Sequence, residues 1–267
     1  GYPKTLFLNT RTMREFDFQP QSLKMGRMFR ENVQSPRLVG PVGWKVISDS
    51  LVASGWKDGE PLLIVSPTPV YGIGLIETVL HSYVYPLRAV GVPVNEILDF
   101  EAWKYNGKGF SHFLEKIFEW RPSHTIILSG DVHYSSGVTT CVKSNGSSAR
   151  IVQFTSSPSK NMSFSGIWGF LMKRMIAFNA WKRRGKKIRR HCDESFVIVK
   201  EEKHTSCPET PEWTEVLEYV PMNKKSIVET ENTIGKLTLF PNIVENTLLH
   251  MKGDTVEEFN FERVELD

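Results

Sequence analysis

"TIILSGDVHYSSG", residues 125–137, decides how this chain reads. Three adjacent aliphatics, Ile126, Ile127 and Leu128, make the short continuous apolar run of a strand covered on both faces. The turn after them is small and polar, and Gly130 permits a sharp bend there. It presents Asp131 and His133, which share one face of an extended segment. A carboxylate and an imidazole on one side suit one metal ion or two adjacent ones. The other reading is a pair that only hydrogen-bonds neighbouring loops, and a bare D-x-H pattern does not separate the two.

Working outward, "GFSHFLEKIFEWRPSH" (109–124) predicts a helix with Phe110, Phe113, Leu114, Ile117 and Phe118 on one face and Pro122 as its stop. "EPLLIVSPTPVYG" (60–72) reads as a buried central strand, ended by prolines that cannot donate to a ladder. "GPVGWKVISDSLVAS" (40–54) has Val42, Val46, Ile47, Leu51 and Val52 at helical spacing, and "KTLFLNTRTMRE" (4–15) is a strand entering a turn with Arg11 and Arg14. Residues 17–37 show no period and read as a loop, and 73–92 are ambiguous. Downstream lie the strand "GVTTCV", an Asn145-Gly146 hairpin turn and the strand "RIVQFTSSPSKN" (150–161). "ESFVIVKEEK", "TEVLEYVPM", "IGKLTLF" and "VEEFNFERVEL" follow as short strands, the last ones as an antiparallel meander. Strands alternating with helices predict an α/β protein with a layered sheet. In such folds reactive groups gather outside the carboxyl ends of the strands.

At 267 residues the chain can bury a sizeable core. Its 40% hydrophobic and 24% charged residues exclude a disordered chain. The three cysteines, Cys141, Cys192 and Cys207, are too scattered for a disulfide scaffold or zinc ribbon, and they fit a reducing, cytoplasmic compartment. The sequence starts at Gly1 in a strand, shows no leader and has no apolar run of transmembrane length. That start leads us to expect that an N-terminal part precedes it.

Charge is unevenly spread. Residues 1–192 carry 26 Lys and Arg against 13 Asp and Glu, and residues 193–267 carry 7 against 17, so a body of +13 faces a tail of −10. The two parts can attract each other, or the basic body can draw in an anionic substrate. "GFLMKRMIAFNAWKRRGKKIRRH" (169–191) holds nine Lys and Arg between Lys173 and Arg190, without an acid and interleaved with aromatics. As an amphipathic helix it suits an anionic membrane surface or an anionic substrate; equally, its basic end can meet the acidic tail. No recognised nucleic-acid motif accompanies the charge, so no specific nucleic acid is expected. Arg11 and Arg14 are candidate phosphate donors, or partners of Asp17 or Asp49.

"HTIILSGDVHYSSGV" (124–138) with "VQFTSSPSKN" (152–161) downstream resembles the G-D-V-H and S-S-P-x-x-N segments of the PhoD-like metallophosphatases, in the calcineurin-like metallophosphoesterase superfamily. "LNTRTMRE" resembles that family's strand and arginine turn, with Asn9 where Asp is usual. "PLLIVSPTPV", "DFEAWKYNGKGFSHFLEKI" and "ENTIGKLTL" resemble further segments in the family's order. The resemblance implies an α/β/β/α sandwich with an antiparallel C-terminal meander, over one domain spanning 1–267. Its parts would be 1–165 with the G-D-V-H strand, the basic segment 166–192, and the acidic β-rich part 193–267.

It also implies phosphate mono- or diester hydrolysis at a centre of two or more metals, with iron, manganese, zinc or calcium as chemically suitable ions. Asp131 and His133 would be metal ligands and the catalytic residues. Arg11, Arg14 and Asn161 would bind substrate. Ser129 and Tyr134 are candidates to support the site or touch substrate, although packing is the preferred role for Tyr134. The family's other metal blocks, of G-N-H or D-D-H type, are missing from the sequence, and two ligands do not make a dinuclear site. The chain therefore reads as the C-terminal portion of a longer phosphoester hydrolase. The alternative is a non-catalytic, phosphatase-like module that binds a partner or anionic surface through 167–190. A serine hydrolase is disfavoured, since no G-x-S-x-G occurs.

Overall fold

A computed structural model describes residues 3–16, 21–25, 29–33, 36–72, 103, 107–132, 134–156, 174, 177, 178, 180, 181, 183–191, 212–223 and 226–266. They form a mixed α/β structure with two helices, α1 (Pro41–Ala53) and α2 (Gly107–Trp120), and two main sheets. The larger sheet has the order β1-β6-β7-β9-β8-β11-β10, with β12 also on β8. Its strands are β1 (Lys4–Phe7), β6 (Leu62–Ser66), β7 (Thr125–Ser129), β8 (Ser135–Ser144), β9 (Ser147–Thr155), β10 (Ile188–His191), β11 (Thr214–Val220) and β12 (Val228–Glu229). β1, β6, β7 and β9 are mutually parallel, so their carboxyl ends open on one edge. The smaller sheet is antiparallel and holds β13 (Ile234–Leu239), β14 (Ile243–Lys252), β15 (Thr255–Asn260) and β16 (Val264–Glu265).

The apolar run of β7 divides between two cores because successive side chains in a strand face opposite ways. Ile127 joins Trp44, Ile64, Phe113, Leu114 and Ile151 beneath the helices. Ile126 joins Val152, Phe154, Val244, Leu248 and Phe259 between the two sheets. Helices, large sheet and small sheet are therefore stacked layers. The acidic part is not structurally separate from the basic body: β11 pairs along β8 from Thr214↔Lys143 to Val220↔Gly137.

α2 forms where its apolar spacing predicts, and Arg121, at φ 48, ends it before Pro122. α1 also forms where expected, with Pro41 in its first turn, but its buried face is Gly43, Trp44, Ile47 and Leu51. Val42, Val46 and Val52, read as part of the apolar face, are exposed. Trp44 displaces them because it fills the space between the helices, packing on Trp103, Phe113 and Trp120 with ring centroids 6.0–6.2 Å apart. A Schellman turn closes α1: Gly55, at φ 78, donates to the carbonyl of Val52, and Trp56 to that of Leu51. The Trp56 indole then donates to the Trp120 carbonyl, and the Trp120 indole to Ser48, which ties the helices together.

Residues 17–37, read as a loop, contain strand pairing instead. β3 (Gln21–Met25) and β4 (Phe29–Val33) form a hairpin, and β2 (Glu15–Phe16) pairs with β5 (Pro36–Arg37). Short ribbons of mixed polarity have no dominant period, which is why the sequence conceals them. The segments 73–92 and 194–203 lie outside the described residues. No helix among the described residues is long and apolar enough to cross a membrane.

Candidate functional site

Four loops leave the carboxyl edge side by side. Backbone pairing runs one step past the strands: Leu8 donates to the Val65 carbonyl, Gly130 to that of Pro67, and Ser156 to that of Ser129. The edge thus aligns the residues after β1 (Asn9 to Arg11), after β6 (Pro67 and Thr68), after β7 (Gly130 and Asp131) and after β9 (Ser156). One strand separates β1 from β7, so their tips are about 10 Å apart at ordinary strand spacing.

Side chains on the helix-facing side of this edge hold the loops. Gln153 is buried, and its Oε1 accepts from the backbone N–H of Val70 and of Tyr71, both at 2.9 Å. Its Nε2 donates to the Tyr71 carbonyl at 2.7 Å and to Thr155 Oγ1 at 3.0 Å. Ser129 and Thr155 share a hydroxyl bond of 2.8 Å. Ser66 donates to the Thr68 carbonyl and accepts from the Trp103 indole. The polar row of Ser66, Ser129, Gln153 and Thr155 therefore fixes the path of the chain over the strand ends.

Asp131 sits at the tip of β7, exposed and at φ 54. That left-handed backbone is uncommon for a residue with a side chain, although Asp tolerates it better than most. Tyr134 is buried in the helix-side core. His133 and Asn161 lie outside the described residues. Arg11 is exposed on the β1 turn, and Arg14 Nε donates to the Thr10 carbonyl at 3.3 Å.

The Asn9 side chain is turned onto its own loop. Its Oδ1 accepts from the backbone N–H of Arg11 at 3.2 Å and of Thr12 at 3.0 Å, and its Nδ2 donates to Thr12 Oγ1. Both lone pairs of the amide oxygen are thereby used. Among the described residues no group of three His, Cys, Asp or Glu could hold a metal ion. The described donors alone do not fit a metal centre.

The small sheet reaches this edge at Gly235, where a Cβ would overlap Ser156 Oγ. A larger residue there would require the Ser156 hydroxyl to turn away. Beside it Ser135 and Thr233 share a 2.8 Å hydroxyl bond, and the His250 ring bonds the Asn232 carbonyl at 2.9 Å. Sequence reasoning missed Gln153 and a second buried polar group, Glu215, whose carboxylate pairs with Arg190 and accepts from Thr140 Oγ1. The Arg190 guanidinium also lies over the rings of Tyr71 and Phe110. Burial pushes the Tyr71 phenol well above its ordinary value, and the Glu215 charge adds to this while Arg190 opposes it. A polar residue inside an otherwise apolar strand, as in "RIVQFT", was the available signal. The chain matches no protein-family model, no curated protein and no solved structure.

Proposed function

We propose that this chain supplies one wall of a metal-dependent phosphoester hydrolase site of the PhoD-like kind, in the α/β/β/α arrangement of that superfamily. The supporting observation is the edge itself: four parallel strands end together, with an exposed carboxylate on left-handed backbone at one tip and an arginine turn at another. Arg11 is the group to hold phosphoryl oxygens, since a guanidinium matches them with paired donors. Arg14 steadies the turn through Thr10, and Asn161 is a further substrate contact in this reading. The buried Gln153 network holds the loop at Val70 and Tyr71 over the strand ends.

The cofactor this reading requires is iron, manganese, zinc or calcium, bound through Asp131 and His133. Its remaining ligands must come from outside the described residues. Such an ion supplies Lewis acidity toward the phosphoryl group.

The test is hydrolysis of p-nitrophenyl phosphate and bis-p-nitrophenyl phosphate by the protein, with and without chelator, alongside elemental analysis. Chelator-sensitive turnover is expected. Asp131→Asn should lower it about 100-fold or more, and Arg11→Ala should raise KM about tenfold. Turnover indifferent to chelator and to Asp131→Asn would overturn the proposal. The non-enzymatic alternative, an anionic partner bound through 167–190, draws on the exposure of Arg184, Lys186, Lys187 and Arg189.

A further inference from the structure

Residues 174, 177, 178, 180, 181 and 183 have helical backbone, and the N–H of Arg184 still donates to the Ala180 carbonyl. Ala180 is buried in the helix-side core and seats this turn on the body. Phe178 and Trp181 point the other way, 54% and 70% exposed, so most of two large rings meets solvent. They stack on one another, with centroids 6.1 Å apart and planes at 28°. Positions 178, 181 and 184 follow one another at three-residue spacing, so Arg184 continues the stripe that the rings begin.

Gly185, at φ 64, turns the chain into β10, the last strand of the large sheet. Neighbouring side chains of β10 alternate. Arg190 turns inward to Glu215 and the rings of Tyr71 and Phe110, which anchors the strand. Arg189 turns to the opposite face, and Arg184, Lys186, Lys187 and Arg189, which follow the two rings directly in the chain, are all exposed. None of the four has an ion pair among the described residues, and no acid occurs from Lys173 to Arg190.

We propose that this surface docks on an anionic lipid bilayer, independently of the phosphoesterase reading. Phe178 and Trp181 enter the boundary between headgroups and acyl chains, while the four cations meet anionic headgroups. Exposed aromatics next to clustered positive charge match an interface that is apolar at depth and negative at its surface. An acidic protein segment would satisfy the cations and leave the rings wet. A single-stranded nucleic acid would stack its bases on such rings, but no recognised nucleic-acid motif accompanies the charge.

The test is flotation of the full chain with phosphatidylcholine vesicles and with vesicles in which about a third of the lipid is phosphatidylserine. Binding to the anionic vesicles alone is expected, and it should weaken as salt rises. Brominated acyl chains should quench a tryptophan signal that Trp181→Phe removes. Phe178→Ser with Trp181→Ser, and separately Lys186→Glu with Lys187→Glu, should each weaken binding about tenfold or more. Both double variants should keep the circular dichroism of the parent and any hydrolysis of p-nitrophenyl phosphate, which separates failure of docking from failure of the active edge. Absence of vesicle binding, equal binding to neutral vesicles, or binding that survives both double variants would overturn the proposal. So would binding of a single-stranded oligonucleotide in place of vesicles, which would give the surface to nucleic acid.

Discussion

The two ends of the parallel strands are built differently. At the amino end the main chain does the joining. Gly59 donates to the Arg121 carbonyl, Ser123 to that of Glu60, and Leu62 to that of His124. The β8–β9 connection is only Asn145-Gly146, both residues at positive φ as a tight hairpin requires. At the carboxyl end backbone bonds also run one step past the strands, but buried side chains hold the loops beyond them, and Gln153 alone fixes both backbone groups of Tyr71. Backbone closure makes a short, self-contained end. Side-chain closure lets longer loops cross the strand tips and leaves Asp131 and Arg11 facing water. The chemistry is accordingly expected at the carboxyl end.

The largest expected effect tests that contrast directly. Gln153→Leu keeps the volume but strands the N–H groups of Val70 and Tyr71, so it should cost about 3 kcal/mol in urea unfolding. Fast hydrogen exchange at Val70 and Tyr71 should accompany it. A loss below about 1 kcal/mol would mean that the loop over β6 is held by something else. At the other end Asn145→Ala forces a residue with poor tolerance into left-handed backbone. It should cost about 1 kcal/mol and leave hydrolysis unchanged.

Asp131→Gly should act in the opposite direction on stability. Removing the side chain from a φ of 54 relieves strain and should stabilise the fold by about 0.5–1 kcal/mol, while abolishing chelator-sensitive turnover. Lower stability together with retained turnover would mean that this tip is structural.

The smallest effect is a pH slope at the amino end. Burial, helped by the nearby Arg150 charge, lowers the pKa of His124 below its ordinary value. The unfolded chain therefore binds a proton more readily than the fold as pH falls through about 6.5, and stability should drop there. His124→Gln should shrink the difference between urea midpoints at pH 7.5 and 5.5. An unchanged difference would place the titration elsewhere.

Much of this division was readable beforehand. The run Ile126–Leu128, the proline stop after Ser66 and the Asn-Gly turn each carry a local cause, and each element formed where it was expected. The buried face of α1 did not follow, because valines at helical spacing say nothing about which neighbour offers a space the size of Trp44. Gln153 and Glu215 were passed over for a related reason. A polar side chain is buried only when its partners arrive from distant parts of the chain, here residues 70–71 and Arg190. Asn9 was noted only as standing where Asp is usual; its bonds to the backbone of Arg11 and Thr12 were passed over, although Asn is prone to such turns. The tip at Asp131 was found by its apolar strand and Gly130, but its left-handed backbone has no sequence signature beyond Asp being one of the residues that tolerate it.

The parallel register also bears on how the chain reaches this state. Lys4 must find Leu62, and Leu62 must find Thr125, across loops whose closure costs entropy before any ladder bond repays it. The hairpins β8–β9 and β14–β15 need only two-residue connections at Asn145-Gly146 and Gly253-Asp254. Local pairing of that kind forms in microseconds, whereas distant pairing slows folding by orders of magnitude. Refolding should thus begin from two hairpins, one in each sheet, with the parallel pairings of β1, β6 and β7 joining later. The edge that gathers Arg11 and Asp131 would be assembled only at the final step, so hydrolysis should return later than β-sheet circular dichroism in a refolding time course.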